Sequence, residues 1–218
     1  MEAYKLEFIR FLEDAGVLKF GDFTAKSGRK IPYFINAGDI KTGDQIRKLG
    51  AFYAKAYFEK VGKQRTVLYG PAYKGIPIAV SAAVALSENG LDVPFFFNRK
   101  EEKDHGERGV FVGYKPQPGE EVVIVEDVIT AGTAIRESMS VLSTLEGVTV
   151  KAVFVMVDRK EKGKTEKSAM AEIGDEFGFP VYSVVDVYDI IEYLEQDPAN
   201  RENVERIKNY LKINGAKE

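Results

Sequence analysis

Short apolar runs recur along most of the chain and alternate with segments of helical pattern. Runs rich in Val, Ile and Phe occupy residues 66–69, 93–97, 121–125, 149–158 and 180–185. Apolar residues at three- and four-residue spacing follow over 75–89, 133–146, 166–177, 187–195 and 201–212. Because strands that are apolar throughout are buried on both faces, this alternation predicts an α/β fold with a mainly parallel central sheet flanked by helices.

The first forty residues follow a different pattern. Leu6, Ile9 and Leu12 predict a helix that ends near Gly16, and a second helix is expected after the cap residue Thr42. The stretches 18–41 and 98–119 are expected to be long loops, and loops of this length in a compact domain are usually either functional or disordered. We expect one domain over residues 1–218, with a small N-terminal hood at about 1–41 and a core at about 42–212.

Charge and rare residue types exclude several classes of site. The net charge is −3, cysteine is absent, and His105 is the single histidine. The chain therefore lacks the basic character of a nucleic-acid binder and the ligands of a Cys/His zinc site. No apolar run approaches the roughly 20 residues of a membrane span, and the acidic N-terminal stretch does not resemble a targeting peptide. We expect a cytoplasmic protein without nucleic-acid or membrane partners, and any metal should be a hard cation held by oxygens.

Two acids follow a buried run where the sheet should end. Glu126 and Asp127 would lie at the carboxyl edge, where α/β sheets bind ligands. The next residues, 128–134, open a helix whose free N–H groups, with the hydroxyls of Thr130 and Thr133, suit a phosphate. Carboxylates repel phosphate but bind sugar hydroxyls, so the pattern indicates a phosphorylated ribose. A strand-end acid pair beside a threonine cap is the alternative that these residues alone leave open.

The sequence YGPAYKGIPIA, at 69–79, predicts a second strand-to-helix turn at the same edge. There, exposed N–H groups and the ammonium of Lys74, beside Tyr73, can hold a diphosphate. A turn with a solvated lysine is the simpler interpretation of this stretch alone. The nucleotide-binding patterns GxxxxGK[ST] and GxGxxG are both absent.

A charged stretch, FNRKEEKDHGERGVFVG at 97–113, offsets its bases with acids. It fits an exposed, solvated hairpin. It also fits a lid that closes over a diphosphate, excludes water and brings Lys103 and His105 to the leaving group.

Two more stretches, FTAKSGRKIPYFINAG at 23–38 and VMVDRKEKG at 155–163, complete a set of five motifs. In this order the motifs resemble the orotate phosphoribosyltransferase family, among the type I phosphoribosyltransferases, in its bacterial and fungal form. The resemblance extends from about residue 4 to 212. Ile35, where many relatives have a second Phe, is a mild departure.

The resemblance implies the type I phosphoribosyltransferase fold and a reaction of pyrimidine biosynthesis. The ribosyl 5-phosphate would pass from 5-phosphoribosyl 1-diphosphate (PRPP) to N1 of orotate, giving orotidine 5′-phosphate and diphosphate. Mg²⁺ would be the cofactor, bound mainly through PRPP with no certain protein ligand. The lid, 99–109, would serve the neighbouring subunit's site in a homodimer.

The resemblance also implies roles for individual residues. Catalysis would involve Lys103 at the leaving oxygens, His105 in ordering the lid, Asp127 and Lys26. Orotate would contact Phe34, Ile35, Thr130 and Arg159. PRPP would be bound by Lys26, Tyr73, Lys74, Arg99, Lys100, Lys103, His105, Glu126, Asp127, Val128, Ile129, Thr130, Ala131, Gly132, Thr133 and Ala134.

Two other functions are compatible with the phosphate and ribose motifs. One is a transferase for another base, a purine or uracil, although Lys26, Phe34 and Arg159 together favour an acidic pyrimidine. The other is a regulator that binds PRPP without reacting, which would be expected to carry a basic nucleic-acid face that this acidic chain lacks.

Overall fold

The computed structural model describes residues 1–25, 28–103 and 109–217, and for 101–103 and 109 it describes the backbone. The strands are β1 (Leu18–Thr24), β2 (Lys30–Ile35), β3 (Val67–Gly70), β4 (Phe95–Lys103), β5 (Gly109–Gly113), β6 (Glu121–Val125), β7 (Thr149–Asp158) and β8 (Val181–Asp186). The helices are α1 (Ala3–Asp14), α2 (Gly43–Lys60), α3 (Gly75–Glu88), α4 (Thr133–Leu142), α5 (Ala169–Phe177), α6 (Val187–Leu194) and α7 (Arg201–Asn214).

The central sheet has the strand order β5-β4-β3-β6-β7-β8 in the described part of the chain. Strands β4, β3, β6, β7 and β8 pair in parallel, and β5 pairs antiparallel to β4 at one edge. The predicted α/β fold with a mainly parallel sheet is therefore confirmed. In this order β3 and β6 are neighbours, so the turns that follow them share one edge.

Strand β6 is apolar from Val122 to Val125, and its packing shows why. Val123 and Val125 belong to a buried cluster with residues of α1, α2, α3 and α6, whereas Val122 and Ile124 pack in a second cluster with residues of α4 and α5. Alternate side chains of a strand point to opposite faces, so helices on both faces require apolar residues at every position.

The helix expected after Thr42 is confirmed, with its cap. The Thr42 hydroxyl accepts the N–H of Gln45, and the Gln45 side chain accepts the N–H of Thr42, which forms a capping box. The helix expected over 133–146 ends earlier, at Leu142, and the helix expected over 166–177 begins later, at Ala169. Boundaries are the least certain part of a pattern because helix ends depend on local capping.

The expectation of long loops at 18–41 and 98–119 was wrong in part. The first stretch contains the antiparallel pair β1 and β2. In the second, β4 continues to Lys103 and pairs antiparallel with β5, which agrees with the hairpin interpretation of 97–113. Strand β2 was not predicted because it contains Pro32, and proline is uncommon inside strands. Pro32 lies opposite the irregularity between Phe20 and Phe23, where the ladder is interrupted.

The hood elements pack directly on the core. Helix α1 contacts α6 and β8, and β2 contacts α7. Phe8, Ile9 and Leu12 of α1 are fully buried in the same cluster as Val123 of β6. Among the described residues, the helices are each too short or too polar to cross a membrane.

Candidate active site

The acid pair lies where the sequence predicted it, at the carboxyl end of β6. Glu126 and Asp127 are both 7% exposed. The Glu126 carboxylate accepts the Asp127 N–H at 2.9 Å, and the Asp127 carboxylate accepts the Val128 N–H at 2.8 Å. Behind them, the Tyr53 hydroxyl donates to the Glu126 carbonyl at 2.6 Å. The two carboxylates are therefore held in fixed positions at the sheet edge.

The environments of the two carboxylates differ. Burial raises the pKa of Glu126 well above its usual range. The charge of Asp127 acts in the same direction, while the Asp127 N–H and Lys74 act against it. Asp127 has a direct counter-ion, because the Lys74 ammonium lies 2.8 Å from its carboxylate. The pair can thus carry less than two full negative charges at neutral pH.

The turn after the acid pair is shaped to place backbone groups at a helix start. Gly132 precedes α4 with φ +72°, the left-handed region that favours glycine. A Cβ at this position would lie 2.7 Å from Cδ1 of Ile173 and 2.9 Å from Nη1 of Arg136. The loop therefore packs closely against α5, and the first N–H groups of α4 have no acceptor within the helix.

The second predicted turn lies beside the first, at the end of β3. Gly70 approaches Gly75 so closely that a Cβ at Gly70 would lie 2.3 Å from the Gly75 carbonyl oxygen. Tyr73 is 67% exposed, and the Lys100 ammonium lies 4.8 Å from the centre of its ring. Lys74 connects this turn to the acid pair, so the two motifs that lie 53 residues apart in sequence form one site.

Asn98, which sequence reasoning did not single out, supports this turn. Its side-chain oxygen accepts the Tyr69 hydroxyl at 2.8 Å and the Ala72 N–H at 3.0 Å. Its position at the start of the NRK motif was the available signal. Arg99 and Lys100 follow it on β4, so the basic residues begin next to a fixed anchor.

A cavity of about 550 Å³ is lined both by the turns that follow β3 and β6 and by the hood. The turns contribute Lys74 and residues 128–131 to its walls, and β2 contributes Phe34 and Ile35. Phe34 leaves 39% of its surface exposed, and Phe23 stacks on it at a centroid distance of 5.5 Å. Arg159 lies in the same cavity wall. A volume of this size is typical of a small-molecule site.

Arg159 is held by a buried polar group that includes residues missed from sequence. Its Nη2 lies 2.6 Å from Oε1 of Glu161, and its guanidinium lies 5.1 Å from the ring centre of Tyr33. Glu161 also pairs with Arg29 at 3.4 Å. The Arg159 side chain remains 17% exposed, which leaves part of it available to the cavity. The signal for Glu161 was its place two residues after Arg159 in the motif DRKEK.

Some predicted residues are not placed. Lys26 and His105 lie outside the described residues, as does the side chain of Lys103, whose backbone pairs with Gly109. Within residues 1–25, 28–103 and 109–217, no group of three or more His, Cys, Asp or Glu side chains could hold a metal ion.

Comparison with known proteins adds independent observations. Residues 36–184 match the family model for the phosphoribosyl transferase domain. The orotate phosphoribosyltransferase of Clostridium acetobutylicum is 46% identical over 224 residues, with 100% of both chains covered. That of Vibrio cholerae is 51% identical over 211 residues, covering 96% of this chain and 97% of the relative.

The solved structures agree. The crystal structure of orotate phosphoribosyltransferase from Francisella tularensis has a TM-score of 0.85 and 37% identity, covering 96% of this chain and all of the other. Motifs, fold and full-length similarity lead to one assignment: this chain belongs to the orotate phosphoribosyltransferase family.

Proposed function

We propose that the protein transfers the ribosyl 5-phosphate of PRPP to N1 of orotate, releasing diphosphate and forming orotidine 5′-phosphate in pyrimidine biosynthesis. One observation carries this proposal. The phosphate-side residues Lys74 and Thr130 share the walls of a single cavity with Arg159, a cation suited to a carboxylate. Orotate is a flat base with a carboxylate, and PRPP supplies the phosphate groups.

The PRPP half of the site is built from backbone groups and the acid pair. Residues 128–134 would bind the 5-phosphate through N–H groups at the start of α4 and the hydroxyls of Thr130 and Thr133. Glu126 and Asp127 would accept hydrogen bonds from the two ribose hydroxyls. Protonation of Glu126, favoured by its raised pKa, allows this buried group to sit near the phosphate with less repulsion.

The orotate half depends on shape and on one guanidinium. Arg159 would form a bidentate pair with the orotate carboxylate, which a lysine cannot reproduce. The exposed face of Phe34, with Ile35, offers an apolar wall for the flat ring. Thr130 lines the same cavity and would lie beside the base. This arrangement favours an acidic pyrimidine over a purine or uracil.

The chemistry breaks the bond between ribose C1 and the diphosphate oxygen and forms the bond between C1 and orotate N1. Positive charge develops on the ribose while negative charge develops on the leaving group. Asp127 would stabilise the first, and Tyr73, Lys74, Arg99 and Lys100 would bind the second, since fixed charges stabilise a transition state most in a water-poor site. Lys103 would neutralise or protonate the leaving oxygens, with His105 ordering the lid and Lys26 near the diphosphate.

Mg²⁺ fits this site as a companion of PRPP. Asp127 offers a hard oxygen ligand of the type that this ion prefers, but two carboxylates do not make an enclosing set. Most ligands would therefore come from the diphosphate and ribose oxygens. When bound, the ion supplies charge neutralisation at the leaving group.

We also propose that residues 1–218 form one domain and that two chains form a homodimer, with residues 99–109 reaching the neighbouring site. The first statement is supported by a buried cluster that contains residues of both α1 in the hood and β6 in the core. The second is supported by the family and by an apolar groove of about 400 Å³ between α2 and α3, where Val84 is 53% exposed.

The experiment that tests the function is a panel of free bases. Orotate, uracil, adenine and hypoxanthine are each mixed with PRPP, Mg²⁺ and protein, and the nucleotide products are separated by chromatography. We expect orotidine 5′-phosphate alone. An Asp127→Asn variant purified in the same way should form far less product, which excludes a contaminating host enzyme. A purine or uracil nucleotide as the main product would overturn the assignment.

A further inference from the structure

One side chain of α4 forms a hydrogen bond to the backbone of the turn assigned to the 5-phosphate. Arg136, in the first turn of α4, donates Nη1–H to the Ala131 carbonyl at 2.8 Å. The same guanidinium donates from Nε and Nη2 to the Glu176 carboxylate of α5 at 2.9 and 2.6 Å. One planar group thus connects the loop to the neighbouring helix, a fork geometry that only arginine provides.

The bond to Ala131 has a consequence for the direction of the next N–H. In a trans peptide, the carbonyl of residue 131 and the N–H of residue 132 point in opposite directions. Holding the Ala131 carbonyl at Arg136, beside α5, therefore turns the Gly132 N–H away from α5. Without this hold the peptide can rotate, and its carbonyl oxygen would then repel a phosphate placed in the turn.

The Arg136 guanidinium already has acceptors within the protein for the donors described above. Its Nε and Nη2 edge faces Glu176, and its Nη1 faces a backbone carbonyl, so these donors are occupied by the protein. Glu176 belongs to α5, and Ile173 of the same helix packs against the Gly132 backbone. The loop is therefore fixed to α5 by a polar contact and an apolar one.

We propose that Arg136 is a positioning residue for the phosphate subsite and that Glu176 is its anchor. This inference rests on the proposed function, in particular on phosphate binding by residues 128–134. Arg136 acts through the Ala131 carbonyl and does not touch the ligand. Its loss should weaken PRPP binding while leaving the orotate pocket, built by Phe34 and Arg159, unchanged.

The test compares Arg136→Met and Glu176→Gln with a matched control, Asp175→Asn. Asp175 is next to Glu176 on α5 but pairs with Lys167 on the surface at 2.6 Å. Steady-state KM values are measured for both substrates. Loss of hydrogen bonds to charged groups should raise the KM for PRPP about tenfold in Arg136→Met and about threefold in Glu176→Gln. The KM for orotate should stay within about twofold, and the control should match wild type.

A conservative variant and a direct binding measurement complete the test. Arg136→Lys can reach either partner but not both, so its KM for PRPP should be intermediate. An unchanged KM for PRPP in Arg136→Met, or a parallel rise of both KM values with a lower Tm, would overturn the inference. If Arg136→Met does not fold, Arg136→Lys and Glu176→Gln decide by the same criterion.

Calorimetry of PRPP binding separates this inference from the proposed function. Wild-type protein that binds PRPP but consumes no orotate would refute the base assignment alone. In that case a weaker Kd for PRPP in the Arg136 variants would still support the inference, and an equal Kd would refute it. Wild-type protein that binds no PRPP would refute both.

Discussion

The ammonium of Lys74 lies 2.8 Å from the carboxylate of Asp127, and this contact joins the turns that follow β3 and β6. The Lys74 side chain is 55% exposed and the Asp127 side chain is 10% exposed. A pair with one solvated partner contributes at most about 1 kcal/mol to stability. In the proposed function, Lys74 would turn to the diphosphate and Asp127 to the ribose hydroxyls, and this exchange would cost little stability.

Lys74→Met should lower kcat/KM about 100-fold while changing the free energy of unfolding by less than about 1 kcal/mol. Steady-state kinetics and urea denaturation measure the two effects. Lys48→Met is the control, because the Lys48 side chain is 49% exposed and forms a 2.8 Å pair with Asp44 on α2. Equal activity losses in both variants would show that Lys74 has no special role in the site.

Glu126 should make the protein less stable as the pH rises. Its pKa is raised in the folded state, so the folded protein binds the proton more tightly than the unfolded chain does. Stability from this group is then complete below the ordinary pKa of a glutamate and is lost as pH rises through the folded value. At a pH above both pKa values, the free energy of unfolding is lower by about 1.4 kcal/mol for every tenfold difference in proton affinity between the folded and unfolded states.

Glu126→Gln removes this titration, so the variant should gain stability relative to wild type between pH 5 and pH 8 on the order of 1 kcal/mol or more. Urea denaturation at a series of pH values measures the difference. Glu137→Gln, at an exposed position on α4, should follow the wild-type profile. A constant difference between Glu126→Gln and wild type at all pH values would contradict the argument.

Arg159→Lys should affect orotate selectively. Lysine keeps the positive charge beside Glu161 but cannot form a bidentate pair with a carboxylate, so the KM for orotate should rise about 10- to 100-fold. The KM for PRPP should change by less than about threefold, because the proposed PRPP contacts are Lys74 and residues 128–134 and do not include Arg159. Arg65→Lys, on the surface pair with Glu120, serves as the control. A selective rise in the KM for PRPP would assign Arg159 to PRPP and would contradict its assignment to orotate.

Gly132→Ala should destabilise the protein and impair PRPP binding together. The left-handed backbone and the 2.7 Å approach to Ile173 both oppose a Cβ. Gly90→Ala separates the two causes, because Gly90 has φ +81° but a Cβ added there would have no atom within 4 Å. Backbone strain alone should cost Gly90→Ala about 1 kcal/mol, with unchanged KM values, while Gly132→Ala should lose about 2 kcal/mol or more. Equal losses of stability in the two variants would mean that the close approach of Ile173 does not contribute to the effect of Gly132→Ala.

Local pattern was sufficient for the parts of the site that depend on local geometry. The apolar run of β6 fixed the position of Glu126 and Asp127 at the sheet edge, and the following turn was recognisable from Gly132 and the start of α4. Lys74 could be placed beside them because turns after neighbouring parallel strands meet at one edge.

Two of the residues that sequence reasoning missed act through distant partners. Arg136 meets Glu176 across 40 residues, and Asn98 meets Tyr69 across 29. Such contacts are set by how helices and strands pack, and neither residue has a local pattern that reports its partner. The hairpin of β1 and β2 was missed for a different reason, since Pro32 and Gly21 interrupt the strand pattern where the ladder itself is irregular.

The absorbance of orotate tests the orotate phosphoribosyltransferase activity directly. Wild-type protein is mixed with orotate, PRPP and Mg²⁺, and parallel samples contain excess EDTA or the Lys103→Ala variant. We expect orotate absorbance to fall at a rate proportional to enzyme concentration, to stay constant with EDTA and to fall much more slowly in the variant. Unchanged absorbance with folded wild-type protein at saturating PRPP would contradict the proposed function.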